Sequence, residues 1–234
     1  MTVGIAALCE FSNGGKVVCA TDGRLSLPQG VSADVNAPKM IFLGDWVFMF
    51  AGELSEADLI LDHIRGVKFT HLDIKKVVRN AFHKRMAEWA GDRFLSQYDL
   101  DMDEFKKTGR DIFGDKRFGD LSLMIEQDAS NYRQQMLVVG WGQSKHLPIF
   151  FGMSRDGLSS YAFDAVAAIG SGAEIAMPTM FVIGQHKEMT LEETIYSVAA
   201  AKFASERCDG VGKETTMYVS WKRGDSQPER DAFV

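Results

Sequence analysis

Along the first 52 residues, apolar runs alternate with turn residues in a pattern that predicts four strands. Residues 3–8 and 16–20 flank Ser12-Asn13-Gly14-Gly15, a hairpin signal because Asn and Gly accept positive φ. A loop holding Pro28, Gly30 and Pro38 leads to Met40–Leu43, a Gly44-Asp45 turn and Trp46–Ala51. The last of these runs is apolar on both faces, so both should be covered.

Helical spacing follows. Ser55 is placed to cap a helix carrying Leu59, Ile60 and Ile64. A longer helix begins near Asp73, with Val77, Val78, Ala81, Met86 and Trp89 on one stripe, and a polar stretch over 101–113 predicts a third, closed by Gly114 and Gly119. Strands are then expected over 121–125, 136–139, 149–151 and Val166–Ile169. Two helices come next. One spans Ala173–Ile183. The other opens on Thr190-Leu191-Glu192-Glu193, a capping box, and runs to Arg207. A final strand covers 216–221, before a polar tail.

The order is therefore strands, helices, strands, helices, strand. No Ser/Pro/Gly linker divides residues 1–234, which read as a single domain. Repeated βαβ units are absent, which disfavours a doubly wound parallel sheet. Two-faced apolar strands with helices in two blocks predict an α+β fold: a four-layer αββα sandwich of two antiparallel sheets flanked by helices.

Composition narrows the function class. A net charge of −6 without a basic run gives no footprint for nucleic acid. No apolar run approaches the roughly 20 residues of a membrane span, and no signal peptide is read at the start. Cys9, Cys19 and Cys208 form no C-x-x-C pair and read as reduced thiols of a cytoplasmic protein. The histidines His63, His71, His83, His146 and His186 lack metal-ligand spacing, so neither metal nor cofactor is expected.

Candidate chemistry sits at strand ends. Asp22 closes the second strand, Lys39 precedes the third, Gly52 follows the fourth and Thr2 opens the first. Singly, each is an ordinary turn or edge residue. If the four strands lie side by side, all four residues meet at one end of the sheet. An N-terminal threonine supplies a nucleophile and, in its own α-amine, a base. A neighbouring ammonium lowers that amine's pKa, and Lys39 would supply it with Asp22 orienting the lysine. The Gly52 N–H would face an oxyanion.

These segments resemble proteasome-type β subunits, members of the N-terminal nucleophile hydrolases. The likeness runs through Thr2-Val3-Gly4-Ile5, Ala20-Thr21-Asp22-Gly23-Arg24, Lys39-Met40-Ile41 and Phe50-Ala51-Gly52. It continues through Val138-Val139-Gly140-Trp141, Ala167-Ala168-Ile169-Gly170-Ser171-Gly172, Met189-Thr190-Leu191-Glu192-Glu193 and Ala204-Ser205-Glu206-Arg207-Cys208-Asp209-Gly210. It implies the αββα sandwich, Thr2 as nucleophile, Asp22 and Lys39 as its charge partners and Gly52 as oxyanion donor. Ser171 and Asp209 would support the amine and the attacking water. It also implies a homo-oligomeric ring, a peptide or unfolded-protein substrate and an ATP-dependent unfoldase as partner.

Three departures from the resemblance stand out. Active relatives usually place two more residues ahead of the Val-Gly pair, a shift of one strand period, about 7 Å. Gly212 stands where they commonly carry a serine, and residues 93–118 look like a helical insertion. Exposure of a Thr2 amine depends on removal of Met1. Three readings therefore stand side by side: a threonine peptidase, a proteasome-like structural subunit without turnover, and an N-terminal nucleophile amidohydrolase acting on a small amide.

Overall fold

Every residue of Trp46–Ala51 is buried, and alternate residues serve two different cores. Trp46, Phe48 and Phe50 pack against helices, with Ile60, Ile64, Val78 and Phe82. Val47, Met49 and Ala51 pack in a second core with Ala6, Leu8, Val17 and Cys19 from another sheet. Period-two alternation on a doubly covered strand thus defines three of the layers. A computed structural model gives this architecture and describes residues 2–26, 32–34, 39–142, 148–161, 165–221 and 232–233. Met1, the Pro28-Gly30-Pro38 loop, His146 and most of the polar tail lie outside the described residues.

One sheet carries β1 (Gly4–Cys9), β2 (Lys16–Asp22), β10 (Val166–Ile169), β11 (Thr215–Trp221) and β12 (Ala232–Phe233), in the order β10-β1-β2-β11-β12. The other carries β5 (Met40–Leu43), β6 (Trp46–Ala51), β7 (Gln135–Trp141), β8 (Pro148–Ser154) and β9 (Gly157–Ser160), in chain order. All neighbours are antiparallel. A short ribbon pairs β3 (Arg24–Ser26) with β4 (Ser32–Asp34). Helices α1 (Leu54–Arg65) and α2 (Ile74–Leu95) cover the second sheet. Helices α4 (Ala173–Ile183) and α5 (Leu191–Ser205) cover the first, through Ala176, Met180, Val198 and Ala201. The four-layer αββα sandwich expected from the sequence is the fold. No helix among the described residues is long and apolar enough to cross a membrane.

Four expectations are corrected. The first four long strands do not lie side by side: β1 and β2 belong to one sheet, β5 and β6 to the other. Ser55 does not cap α1. Glu53 holds the extended N-cap backbone and Ser55 lies inside the first turn. Residues 121–125 are helix, within α3 (Met102–Ala129). Leu121 and Ile125 are buried four apart while Leu123 and Met124 are exposed, which is helical spacing in a run too short to separate the two periods by eye. Gly119 does not end that helix. Only Gly114 breaks it, with φ 72° and ψ 160°. The two arms fold back there, so that the Phe105 and Phe118 rings stack at 4.8 Å.

The capping box on Thr190 forms as expected, with Glu193 N donating to Thr190 Oγ1 at 3.2 Å and Thr190 N to Glu193 Oε2 at 2.9 Å.

Candidate active site

The β1–β2 ladder places Gly4 opposite Thr21 and continues through Asp22 N–H to Val3 O at 3.3 Å. That sets Thr2 and Asp22 at one end of the first sheet. Thr2 has the parity of Ala6 and Leu8, which face the second sheet. Lys39 comes from that second sheet. Its carbonyl accepts from Phe50 N at 3.1 Å, extending the β5–β6 ladder by one residue. From there Lys39 Nζ crosses the interlayer gap and donates to Thr2 Oγ1.

Asp22 is the hub. Its Oδ1 accepts from Val3 N at 2.9 Å. Its Oδ2 accepts from Lys39 Nζ at 3.0 Å, Gly212 N at 3.0 Å and Arg24 N at 3.2 Å. The Lys39 and Asp22 side chains are 4% and 0% exposed. Four donors satisfy the buried carboxylate, one of them through an ion pair with Lys39. Thr2, Asp22 and Lys39, remote in sequence, are therefore one hydrogen-bonded unit.

Two glycine turns close in on this unit. Gly170, at φ 85°, lies against Thr2: an added Cβ would stand 2.8 Å from the Thr2 carbonyl carbon and 3.1 Å from Ala51 Cβ. The next turn residue but one, Gly172, donates its N–H to Thr2 O at 3.2 Å. Gly52 follows β6 at φ 128°, with room for no side chain because Gln134 Cδ would lie 2.8 Å from its Cβ. One residue's thickness thus separates the Thr2 backbone from the Ala51-Gly52 turn.

Ser171 and Asp209 are both exposed. The Ser171 carbonyl accepts from Cys208 Sγ at 3.6 Å, and Asp209 lies in the turn after α5. Among the described residues, no hydrogen bond joins either side chain to Thr2, Asp22 or Lys39.

Sequence reasoning missed several supports. Gly212 acts through its backbone, which no side-chain motif signals. Lys202, in the apolar stretch Ala199-Ala200-Ala201-Lys202-Phe203, is fully buried. It donates to Glu206 Oε1 at 2.7 Å and Lys213 O at 2.6 Å, tying α5 to the segment that carries Gly212. The Lys202–Glu206 spacing of four was the one available cue. Behind Gly52, on its helix side, lies a cavity of about 250 Å³ lined by Gly52, Glu56, Trp89, Tyr132 and Gln134 among others. Arg85 holds Glu56 there by two bonds of 2.9 Å, and Tyr132 Oη donates to the same carboxylate at 3.2 Å. Burial, and then the Glu56 charge, push the Tyr132 phenol well above its ordinary range.

No family model matches the sequence, and no curated protein matches it at a significant level. Solved structures do match. Eukaryotic HslV from Trypanosoma brucei superposes with a TM-score of 0.56 at 13% identity, over 94% of this chain and 99% of that one. The helical assembly of the Anbu complex from Pseudomonas aeruginosa gives 0.61 at 14% identity, over 94% of this chain and 81% of that one. The Gly-1 mutant of Anbu from Hyphomicrobium sp. strain MC1 gives 0.58 at 14% identity, over 99% and 87%. Anbu is described, for Yersinia bercovieri, as an ancestral β-subunit. At this identity the likeness is one of fold, and across nearly its whole length the chain has the proteasome-like fold shared by HslV and Anbu.

Proposed function

We propose that this chain is a threonine-type peptidase working within an oligomer, with Thr2 as its N-terminal nucleophile once Met1 is removed. The observation that carries the reading is the buried contact of Lys39 Nζ with Thr2 Oγ1, backed by Asp22 at 3.0 Å. Lys39 Nζ donates to both Thr2 Oγ1 and Asp22, so it does not take the hydroxyl proton in this scheme. The base is the nitrogen of Thr2 itself, which gains a basic lone pair only when Met1 has gone.

The steps then balance. Thr2 Oγ attacks the scissile carbonyl carbon and its proton passes to the α-amine. The oxyanion accepts from Gly52 N–H, and the Lys39 charge favours the ionising oxygen. Collapse breaks the C–N bond. The protonated amine gives its proton to the leaving nitrogen, leaving an ester on Oγ. Water cleaves that ester with the amine again as base. In the same scheme Ser171 and Asp209 serve the amine and the water.

The substrate class is peptide or unfolded polypeptide, delivered in the cytoplasm by an ATP-dependent unfoldase. Exposed Phe181, Val182, Tyr196 and Phe203 on the outer helix layer support burial in an assembly, as does the helical assembly described for the Pseudomonas aeruginosa neighbour.

One observation favours a structural subunit instead: Thr2 is only 1% exposed. Intact-mass analysis with a peptide epoxyketone separates the two readings, since the reagent closes a ring on both hydroxyl and amine of an N-terminal threonine. We expect loss of Met1, one adduct per chain on Thr2 and none in Thr2→Ala. Met1 retained with no adduct would overturn the peptidase.

A further inference from the structure

Gln135 begins β7 and Gln134 immediately precedes it, and their side chains reach opposite ways. Gln135 pairs with Ala51 across the β6–β7 ladder. Its Oε1 accepts Gly170 N–H at 2.7 Å. Gln134, 4% exposed, turns the other way, and its Oε1 accepts Glu53 N–H at 3.0 Å. One glutamine therefore holds the turn that carries Thr2, through Gly170 and the Gly172 N–H to Thr2 O bond at 3.2 Å. The other holds the turn that carries Gly52. The two anchors are joined by a single peptide bond.

Both turns need such an anchor. Each has its glycine at positive φ, 85° for Gly170 and 128° for Gly52. Neither amide that the glutamines hold is part of a sheet ladder. A nucleophile and an oxyanion donor on separate turns act together only if their spacing is fixed to a fraction of an ångström.

We propose that Gln134 and Gln135 are positioning residues that set the separation between Thr2 Oγ1 and the Gly52 N–H, by gripping the two glycine turns from opposite faces of one strand. This rests on the reading of Thr2 and Gly52 given above. Neither glutamine touches the reacting atoms. Each acts through a backbone amide.

The acceptor oxygen, not the bulk of the side chain, does the positioning. Gln135→Met and Gln134→Met keep the stem and remove the acceptor. Gln135→Glu and Gln134→Glu keep an acceptor in the same place. The experiment measures kcat and KM on a fluorogenic peptide in the full chain, with kcat divided by the fraction of Thr2 that an epoxyketone labels. That division removes any loss caused by misfolding alone. Expected is a fall in kcat per labelled Thr2 of at least about tenfold in each Met variant, with KM within about twofold, and recovery of most of the turnover in the Glu variants. Wild-type turnover with unchanged kcat per labelled site in both Met variants overturns the clamp and leaves the peptidase standing. A wild type that neither turns over nor labels overturns the peptidase reading and the clamp's catalytic role with it.

Discussion

Lys39 and Thr2 belong to different sheets and meet across the gap between them, the lysine Nζ donating to the threonine Oγ1. The site is therefore an interlayer contact, and it exists only when the two sheets are stacked. Lys39→Ala is expected to abolish labelling and hydrolysis, at least about a thousandfold. Its cost in stability should stay modest for a buried pair, about 1–3 kcal/mol, because Asp22 keeps three backbone donors. Activity and chemical denaturation measured on the same variant check both statements. Full activity removes Lys39 from the mechanism.

Gly170→Ala is the sharpest backbone test. The new Cβ would drive into the Thr2 carbonyl, a backbone group that cannot step aside. A loss of roughly 2–4 kcal/mol is expected, with loss of Thr2 labelling. Gly157→Ala is the control. It shares a positive φ, 118°, but meets nothing within 4 Å, so only the conformational penalty of about 1 kcal/mol applies. Equal losses in the two variants would refute the close approach.

The cysteines give a pH prediction. Burial pushes the Cys9 thiol up to about 11, and raises that of Cys19 further still. A thiol whose folded pKa exceeds its unfolded value favours the native state below about pH 8.5 and loses that contribution as pH rises through the folded value. Unfolding free energies from denaturant titrations should therefore fall between about pH 8.5 and 11, by on the order of 3 kcal/mol for Cys9, and Cys9→Ala should flatten part of that fall. Half-buried Cys208 should be the thiol that alkylates first at pH 8. Rapid labelling of Cys9 or Cys19 in the folded protein would contradict their burial.

Assembly is the fourth expectation. Leu59 on α1 is 42% exposed and Ile112 on α3 is 55% exposed, and apolar side chains left in solvent on helix faces are candidate contact surfaces. Light scattering should give six or more subunits. Leu59→Asp or Ile112→Asp should lower that mass without unfolding the chain. A 26.0 kDa monomer at micromolar concentration would refute it.

Much of this fold was legible because burial on both faces writes unbroken apolar strands, as in Trp46–Ala51. The register of layers was not. Nothing local distinguishes a strand beside its neighbour from one stacked across it, so the sequence alone does not show that β5 and β6 belong to a different sheet from β1 and β2. The weakly apolar β9, with two exposed serines, gave no periodic signal. At the site, charged side chains at strand ends were visible. Supports made of backbone amides, such as Gly212 N–H, and of glutamines entering a strand were not, because hydrogen bonds to the main chain leave no mark on residue type.

The break at Gly114 has a consequence for how the molecule comes apart. The small core that it closes holds Ala90, Leu95, Phe105, Leu121 and Ile125, all drawn from one continuous stretch of chain. The core between the sheets and the core under α4 and α5 instead join strands from both ends of the sequence. Contacts so local close early and can reopen alone. Native-state hydrogen exchange should accordingly find the helical arm releasing as its own cooperative unit, at lower free energy than the sheets, and a lengthened or shortened arm should leave the Thr2–Asp22–Lys39 contacts as they are.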